Sequence, residues 1–258
     1  MDAMILAAGL GTRLRPLTLT TPKALVEVDG EPMLARVARR LIAAGADRLI
    51  VNVSYLADAV EAYVRDTGWR TPGGAPVEVR VSDEPGEPLE TGGGLKKAAS
   101  FFRRSAESGA QGAFLVHNAD ILTTVDLGAL LDAHRASGAV ATLAVAPATT
   151  DRYLVVDDAG LLGYAYDGQE HTSRDAQGEP QRVDFCGVQA AGPELLEIVE
   201  AAEDDTFSIM TTYLRLAATP GRVAVYAGTD AAPNRFLDVG TPERLEAAHQ
   251  AVAAGDFA

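Results

Sequence analysis

Cysteine occurs once in these 258 residues, as Cys186, and histidine only four times. A single cysteine excludes a disulfide framework within the chain and points to a reducing compartment, the cytoplasm. The histidines (His117, His134, His171 and His249) are scattered without metal-ligand spacing, so structural or surface roles are expected for them. Basic residues are also in short supply. Twenty-two Lys and Arg against 36 Asp and Glu leave a net charge of −14. That balance argues against nucleic acid or an anionic membrane as partner. It does not exclude a nucleotide, because a few local cations and a divalent metal reverse the potential inside a cleft. No apolar run approaches the roughly 18 residues of a membrane span, and no signal-like segment precedes the first apolar run.

What is present is an apolar content of 47%, enough for one well-buried α/β domain over residues 1–258. Strand-like and helix-like stretches alternate. Strands are expected at 4–6, 49–53, 77–81, 113–117 and 139–146, and helices near 33–44, 56–65, 93–102 and 127–136. This order predicts a doubly wound, mostly parallel sheet with its ligand crevice at the strand C-termini. From about Tyr153 the character changes. Val155 to Leu162 reads as a hairpin turning at Asp158–Gly160. The polar segment from Asp167 to Gln181 reads as a mobile loop over the cleft. A strand at 185–188, helices near 193–202 and 208–218, and a strand at 222–226 follow, with Ser208 as cap of the second helix. The last helix opens at Thr241-Pro242-Glu243, a cap residue followed by proline at its favoured first position.

The most specific stretch is the first. Met4-Ile5-Leu6 runs into Ala7-Ala8-Gly9-Leu10-Gly11-Thr12-Arg13-Leu14-Arg15-Pro16-Leu17-Thr18, and Thr21-Pro22-Lys23-Ala24-Leu25 follows. A buried strand leading into a glycine turn lets backbone N–H groups approach a ligand closely. Arginine and lysine nearby supply the charge that polyphosphate demands. Two better-known phosphate loops do not fit. The dinucleotide fingerprint needs a third small residue where Leu14 stands, and an acidic residue in the 49–53 strand that is missing. The G-x4-G-K-[ST] pattern is absent, and Gly92-Gly93-Gly94-Leu95-Lys96-Lys97 does not supply it. Two widely separated aspartates, Asp120 after a buried strand and Asp238 in Phe236-Leu237-Asp238-Val239-Gly240-Thr241, have the character of Mg²⁺ ligands. That ion takes one or two carboxylates plus water and phosphate oxygens.

Residues Leu6–Thr18 and Pro22–Leu25 resemble the signature of the sugar-phosphate nucleotidylyltransferases, L-A-A-G-x-G-T-R-[LM]-x-P-L-T followed by P-K-x-L. The resemblance runs from Met4 to about Glu246. It implies a Rossmann-like fold with a small hairpin and loop lobe for the sugar, a nucleotide half over about 1–120 and a sugar half over about 121–258. It also implies an enzyme joining a nucleoside triphosphate to a sugar 1-phosphate, with Mg²⁺ as cofactor. Ala7, Ala8, Gly9, Leu10, Gly11 and Thr12 would surround the triphosphate, Arg13 would grip its β/γ-phosphates and Lys23 would reach the α-phosphate. Asp120 and Asp238 would hold the metal, although Ala119 and Phe236 replace the family's usual glycine and tryptophan beside them. Arg13, Lys23 and Asp120 are the expected catalytic residues.

Base and sugar are less specified. Leu89-Glu90-Thr91-Gly92-Gly93-Gly94 resembles the N-acetylmuramate-1-phosphate uridylyltransferases more than the guanylyltransferases with their L-G-T-A-G-A, so Glu90, Thr91 and Gly92 are expected at the base. A carboxylate from Glu84 or Glu90, by contrast, suits the two N–H donors of guanine. Glu84 itself reads as a solvated loop charge. For the sugar the candidates are Asn118, Gly187 (in Phe185-Cys186-Gly187-Val188, like the family's F-S-G-I strand) and Arg15. Cys186 reads as a small buried residue beside that pocket. The family's E-K-P segment is missing between Gly163 and Val183, leaving Arg15, Arg174 or Arg182 to hold the sugar phosphate. A catalytically silent regulatory subunit is the competing reading, and retention of Arg13, Lys23, Asp120 and Asp238 argues against it. The sequence does not choose between monomer and homo-oligomer.

Overall fold

The computed structural model describes residues 1–102 and 112–257. In chain order the principal elements are β1 (Asp2–Leu6), α1 (Met33–Ala43), β2 (Arg48–Val53), α2 (Ala57–Thr67), β3 (Glu78–Asp83), α3 (Glu90–Ala98), β4 (Phe114–Asn118) and β5 (Ile121–Thr123). Then come α4 (Leu127–Ser137), β6 (Ala141–Pro147), β7 (Leu154–Asp157), β8 (Gly160–Tyr166), β9 (Gln169–Thr172) and β10 (Gln181–Ala191). The chain finishes with α5 (Pro193–Glu200), α6 (Ile209–Leu216), β11 (Val223–Tyr226), β12 (Phe236–Asp238) and α7 (Pro242–Ala253).

One sheet organises these elements, in the order β9-β8-β7-β10-β4-β1-β2-β3, with β6 on the other side of β10 and β11 beside β6. Around β1 all pairings are parallel, with Met4 level with Ile50 on one side and Val116 on the other. The long β10 runs antiparallel to β4, β6 and β7 and joins the parallel half to the hairpin half. The expected mostly parallel α/β sheet is therefore the observed one.

The central strands β1, β2, β4 and β6 are buried on both faces, as continuous apolar strands require. Ala3 and Ile5 of β1 point into a core with Leu34, Val37 and Leu41 of α1, Val60 of α2 and Leu130 of α4. Met4, between them, points into a second core with Leu95 of α3, Leu195 of α5 and Tyr213 of α6. The period-2 alternation of strand side chains sorts one apolar run into two layers. A third, smaller cluster of Val28, Met33, Leu122, Val239 and Ala248 seats α7 and the β5–β12 pair beside the strand ends. Caps act where the sequence places them. Ser208 accepts from the Met210 N–H and Thr241 from the Arg244 N–H, with Pro242 at the first helical position.

The loop expected over the cleft at 167–181 is different. Gln169–Thr172 forms β9 against β8, and Arg174 then donates to both carboxylate oxygens of Asp157 at 2.6 and 2.7 Å. The Asp158 N–H donates to Gln177 and the Ser173 hydroxyl to the Leu214 carbonyl. The segment is tied to the outer hairpin. All four β9 residues are exposed, so no apolar alternation marks the strand in the sequence.

Candidate active site

The C-terminal ends of β1, β2 and β4 converge on a cavity of about 220 Å³, walled by Leu6 to Gly9, Lys23, Asn52, Pro88, Glu90, Thr91 and Asn118 to Asp120. After β1 the chain turns outward. The amide N–H groups of Gly9 to Arg13 donate to no group among the described residues. Gly11 is left-handed, with φ +62°. A Cβ there would stand 2.9 Å from Thr18 and 3.1 Å from the Lys23 side chain, so this glycine lets the lysine lie against the loop. The Thr18 hydroxyl fixes the turn by donating to the Gly11 carbonyl at 2.7 Å.

Lys23 passes along this loop and forms an ion pair with Asp120, both side chains being largely buried. Asp120 follows β4. Its carbonyl accepts the Val239 N–H at 2.8 Å, and β5 pairs with β12 so that Asp238 lies opposite Ile121. The two aspartates, 118 positions apart in sequence, are thus neighbours. Arg40 of α1 anchors β5 from behind through the carbonyls of Thr123 and Val125. Asp238 is ion-paired through Oδ2 with Arg244, while its buried Oδ1 has no hydrogen-bond partner among the described residues. A Cβ on Gly240 would touch Asp238 Oδ1 at 2.5 Å and Arg13 Nη2 at 2.8 Å, so the exposed Arg13 brings its guanidinium to the same spot. Lys23 with Asp120, and Arg13 with Asp238, are therefore two pairs carried on adjoining stretches of backbone. An acidic pair with an unsatisfied buried oxygen fits the donor set of a hard divalent cation.

Two residues outside the expected set hold the cavity in shape. Asn52 Oδ1 accepts the Ala7 N–H at 2.7 Å, and its Nδ2 donates to Glu84 Oε1 at 2.7 Å. Glu84 Oε2 accepts the Leu89 N–H at 2.9 Å. Glu84 is only 1% exposed, which corrects its reading as a solvated loop charge. Asn52 had a signal in the sequence: an amide inside Leu49-Ile50-Val51-Asn52-Val53 has to find buried partners. Arg244 had one too, since a cation in the first turn of a helix opposes the dipole and calls for an acidic partner.

The structure sorts the remaining candidates. Glu90 and Thr91 line the cavity, but Gly92 does not. Gly92 packs under the Phe207 ring, and its N–H donates to the Phe207 carbonyl at 2.8 Å. The three glycines are needed for packing: a Cβ on Gly93 would overlap the Asp205 carbonyl, and one on Gly94 would stand 2.8 Å from Asn52 and Glu84. Asn118 and Gly187 meet as expected. They line a second cavity of about 170 Å³ that shares Leu6, Thr91 and Asn118 with the first. Gly187 sits in a bulge of β10 at φ +68°, where a Cβ would press on Ile121.

The candidate phosphate arginines line neither cavity. Arg174 is consumed by Asp157, and Arg182 pairs with Glu170 and lies over the Tyr153 ring. Arg15 is exposed. Cys186 is buried, and burial pushes its thiol up to about 12. His117 is buried with Nδ1 2.8 Å from the Asn118 carbonyl oxygen, and desolvation pushes it down to about 4, leaving a neutral structural imidazole.

A doubly wound sheet whose first strand ends in an amide-rich, cation-flanked loop facing two carboxylates defines a protein that handles nucleotide phosphates. The chain belongs to the nucleotidyl transferase family, whose sequence model matches residues 2–157. It is 36% identical over 253 residues to an N-acetylmuramate alpha-1-phosphate uridylyltransferase of Caulobacter vibrioides, covering 97% of this chain and 96% of that one. A mannose-1-phosphate guanylyltransferase of Mycobacterium tuberculosis is 38% identical over 143 residues, 55% of this chain and 36% of the other. The fold matches the crystal structure of HddC from Yersinia pseudotuberculosis with a TM-score of 0.71 at 24% identity, over 97% of this chain and 99% of that one. No described helix is long and apolar enough to cross a membrane.

Proposed function

We propose that this protein transfers a nucleotidyl group from a nucleoside triphosphate to a sugar 1-phosphate, with UTP and an N-acetylmuramate-type sugar phosphate as substrates, in the cytoplasm. The observation that carries this is the Lys23–Asp120 ion pair in the wall of a cavity that also takes in Ala7 to Gly9 at the start of the glycine loop, together with the approach of Arg13 to Asp238 beside Gly240. Likeness to the full-length Caulobacter relative supports the choice of UTP and sugar. In the reaction an oxygen of the sugar phosphate attacks the α-phosphorus. A new P–O bond forms, the bond to the β-phosphate breaks, and its electron pair leaves with pyrophosphate. The nucleophile is already an anion, so the task is positioning and charge stabilisation, and no protein base is required.

In this reading the amides of Gly9 to Thr12 hold the triphosphate. Arg13 takes its β/γ oxygens in a forked contact. Lys23, released from Asp120 by small side-chain rotations, meets charge building at the α-phosphate. Asp120 and Asp238 are the residues that would hold Mg²⁺, which supplies neutralisation of phosphate charge and polarisation of phosphoryl oxygens. Residues 1–120 carry the nucleotide side and 121–258 the sugar side.

A second reading has GTP as donor, because the Glu90 carboxylate at the cavity wall suits the N1–H and N2–H edge of guanine. Thermal-shift screening of UTP, GTP, dTTP, ATP and CTP with Mg²⁺ separates the two, since a bound ligand raises apparent stability. Pyrophosphate exchange into the stabilising triphosphate tests transfer itself. No exchange with any triphosphate and its NDP-sugar would leave the silent-subunit reading in its place.

A further inference from the structure

Gln189 lies on β10, between Val116 of β4 and Leu143 of β6 in the ladder. It is 3% exposed, and its Oε1 is buried with no hydrogen-bond partner among the described residues. Buried polar atoms are normally paired, and an unpaired amide oxygen in an apolar setting is costly. Methionine or leucine would fill the same space without that cost. Yet the amide stands in the wall of the second cavity, where its neighbours are Val116, Phe185, Ile209 and Met210. The wall is apolar except at this point, Asn118 and two hydroxyls. Each of those hydroxyl oxygens already accepts one backbone N–H. Thr91 Oγ1 accepts the Ile209 N–H at 2.9 Å, and Ser208 Oγ accepts the Met210 N–H. Gln189 therefore contributes a buried amide to a wall otherwise made mostly of hydrocarbon and thioether, with Asn118, Thr91 and Ser208 as its other polar members.

We infer that Gln189 selects the sugar by its nitrogen substituent: a turn of its terminal amide brings the shielded Oε1 to the cavity, where it accepts the N–H of an acylamino group, and the acyl methyl rests on Val116, Phe185, Ile209 and Met210. A plain hydroxyl also donates, but it leaves this hydrocarbon wall uncovered, so an acylamino sugar gains both a hydrogen bond and apolar burial. Gly187 fits the same picture, because its missing side chain keeps the space between Ile121 and Asn118 open. The inference rests on the proposal that sugar 1-phosphates are substrates.

The test is calorimetric binding of N-acetylmuramate 1-phosphate, N-acetylglucosamine 1-phosphate and glucose 1-phosphate to the wild-type protein and to Gln189→Met. The expected result is preferential binding of the two acetylated ligands by the wild type. Gln189→Met should weaken these two tenfold or more, to the level of glucose 1-phosphate. It should leave UTP binding unchanged and keep or raise Tm, since an unpaired buried amide is removed. Unchanged affinity for the acetylated ligands would overturn the inference. So would an equal loss for all three with a lowered Tm, or no acetyl preference in the wild type. Gln189-dependent binding without pyrophosphate exchange would sink the transferase reading alone.

Discussion

The backbone N–H of Val239 donates to the carbonyl of Asp120 across 2.8 Å. This bond, continued by the short β5–β12 ladder, sets the backbone of Asp238 and Val239 beside that of Asp120 and Ile121. Everything proposed about phosphoryl transfer depends on that proximity.

Asp120→Asn and Asp238→Asn are each expected to lower turnover on the order of 100-fold or more, as for loss of a group that stabilises transition-state charge. Both side chains are mostly buried and ion-paired, so each substitution should also lower stability by about 1–3 kcal/mol. Steady-state kinetics paired with urea denaturation checks this. Near-wild-type turnover in either variant would mean that the wrong carboxylates have been assigned.

Arg13→Ala should raise KM for the triphosphate and lower kcat, with Tm unmoved, because Arg13 is exposed and surface substitutions away from buried features stay within about 0.5 kcal/mol. Arg244→Ala offers a comparison on the same aspartate. It removes the partner of Asp238 Oδ2 but no expected phosphate contact, so its KM for the triphosphate should stay closer to wild type. Equal kinetic damage in the two would contradict the assignment of Arg13 to the phosphates.

Glu84→Gln replaces a carboxylate that accepts from both Asn52 and Leu89. Glutamine offers one oxygen and one N–H₂ group, so one buried donor faces another. The expected cost is about 1–3 kcal/mol. Because the Asn52 branch reaches the Ala7 amide, KM for the triphosphate should rise more than KM for the sugar phosphate. Chemical denaturation and two-substrate kinetics read the two effects separately.

Gly92→Ala and Gly93→Ala test the packing role of the glycine run. The first meets the Phe207 ring and the second the Asp205 carbonyl, whereas Gly73→Ala finds nothing nearer than 3.9 Å. Overpacking should lower stability by about 1–3 kcal/mol in the first two and leave Gly73→Ala near neutral. A stable Gly93→Ala would show that the 201–207 segment is not pressed against α3.

Acidification should destabilise the fold before any carboxylate titrates. Burial lowers the pKa of His117 and of His134 from 6.5 to about 4. Between those values the unfolded chain binds more protons than the native one, so stability rises with pH across the window and is lost as pH falls through it. For the fully buried His117 the effect is on the order of 3 kcal/mol from pH 7 to pH 4. Asp157, pulled to about 2 by Arg174, holds its contribution until pH falls below about 3.8 and loses it by about 2. Urea midpoints measured from pH 7.5 to 4.5 should fall steadily, and a flat profile would contradict the burial of neutral His117.

The parallel half of the fold was legible because its strands are continuous apolar runs bounded by glycine, and its caps are local. Ser208 and Thr241 act on N–H groups two or three residues away. The strand β9 was not legible, since Gln169 to Thr172 carries no buried side chain and is held by ladder pairing and by surface contacts of Glu170 and His171 with distant residues. Glu84 was misread for a related reason. Its burial comes from α3 closing over it, with Gly94 admitting the contact, and nothing within a few residues of Glu84 records that.

By itself the sequence determined the glycine-rich turn after β1 and the layered α/β sheet, because short-range patterning of apolar residues and glycine suffices for both. Only the tertiary structure decided which distant groups meet: Asp120 with Val239 and Lys23, Asn52 with Glu84, and Gln189 with Ile209 and Met210 in one cavity wall. Those meetings depend on strand register and helix packing, which bring together residues whose separation along the chain carries no information about their separation in space.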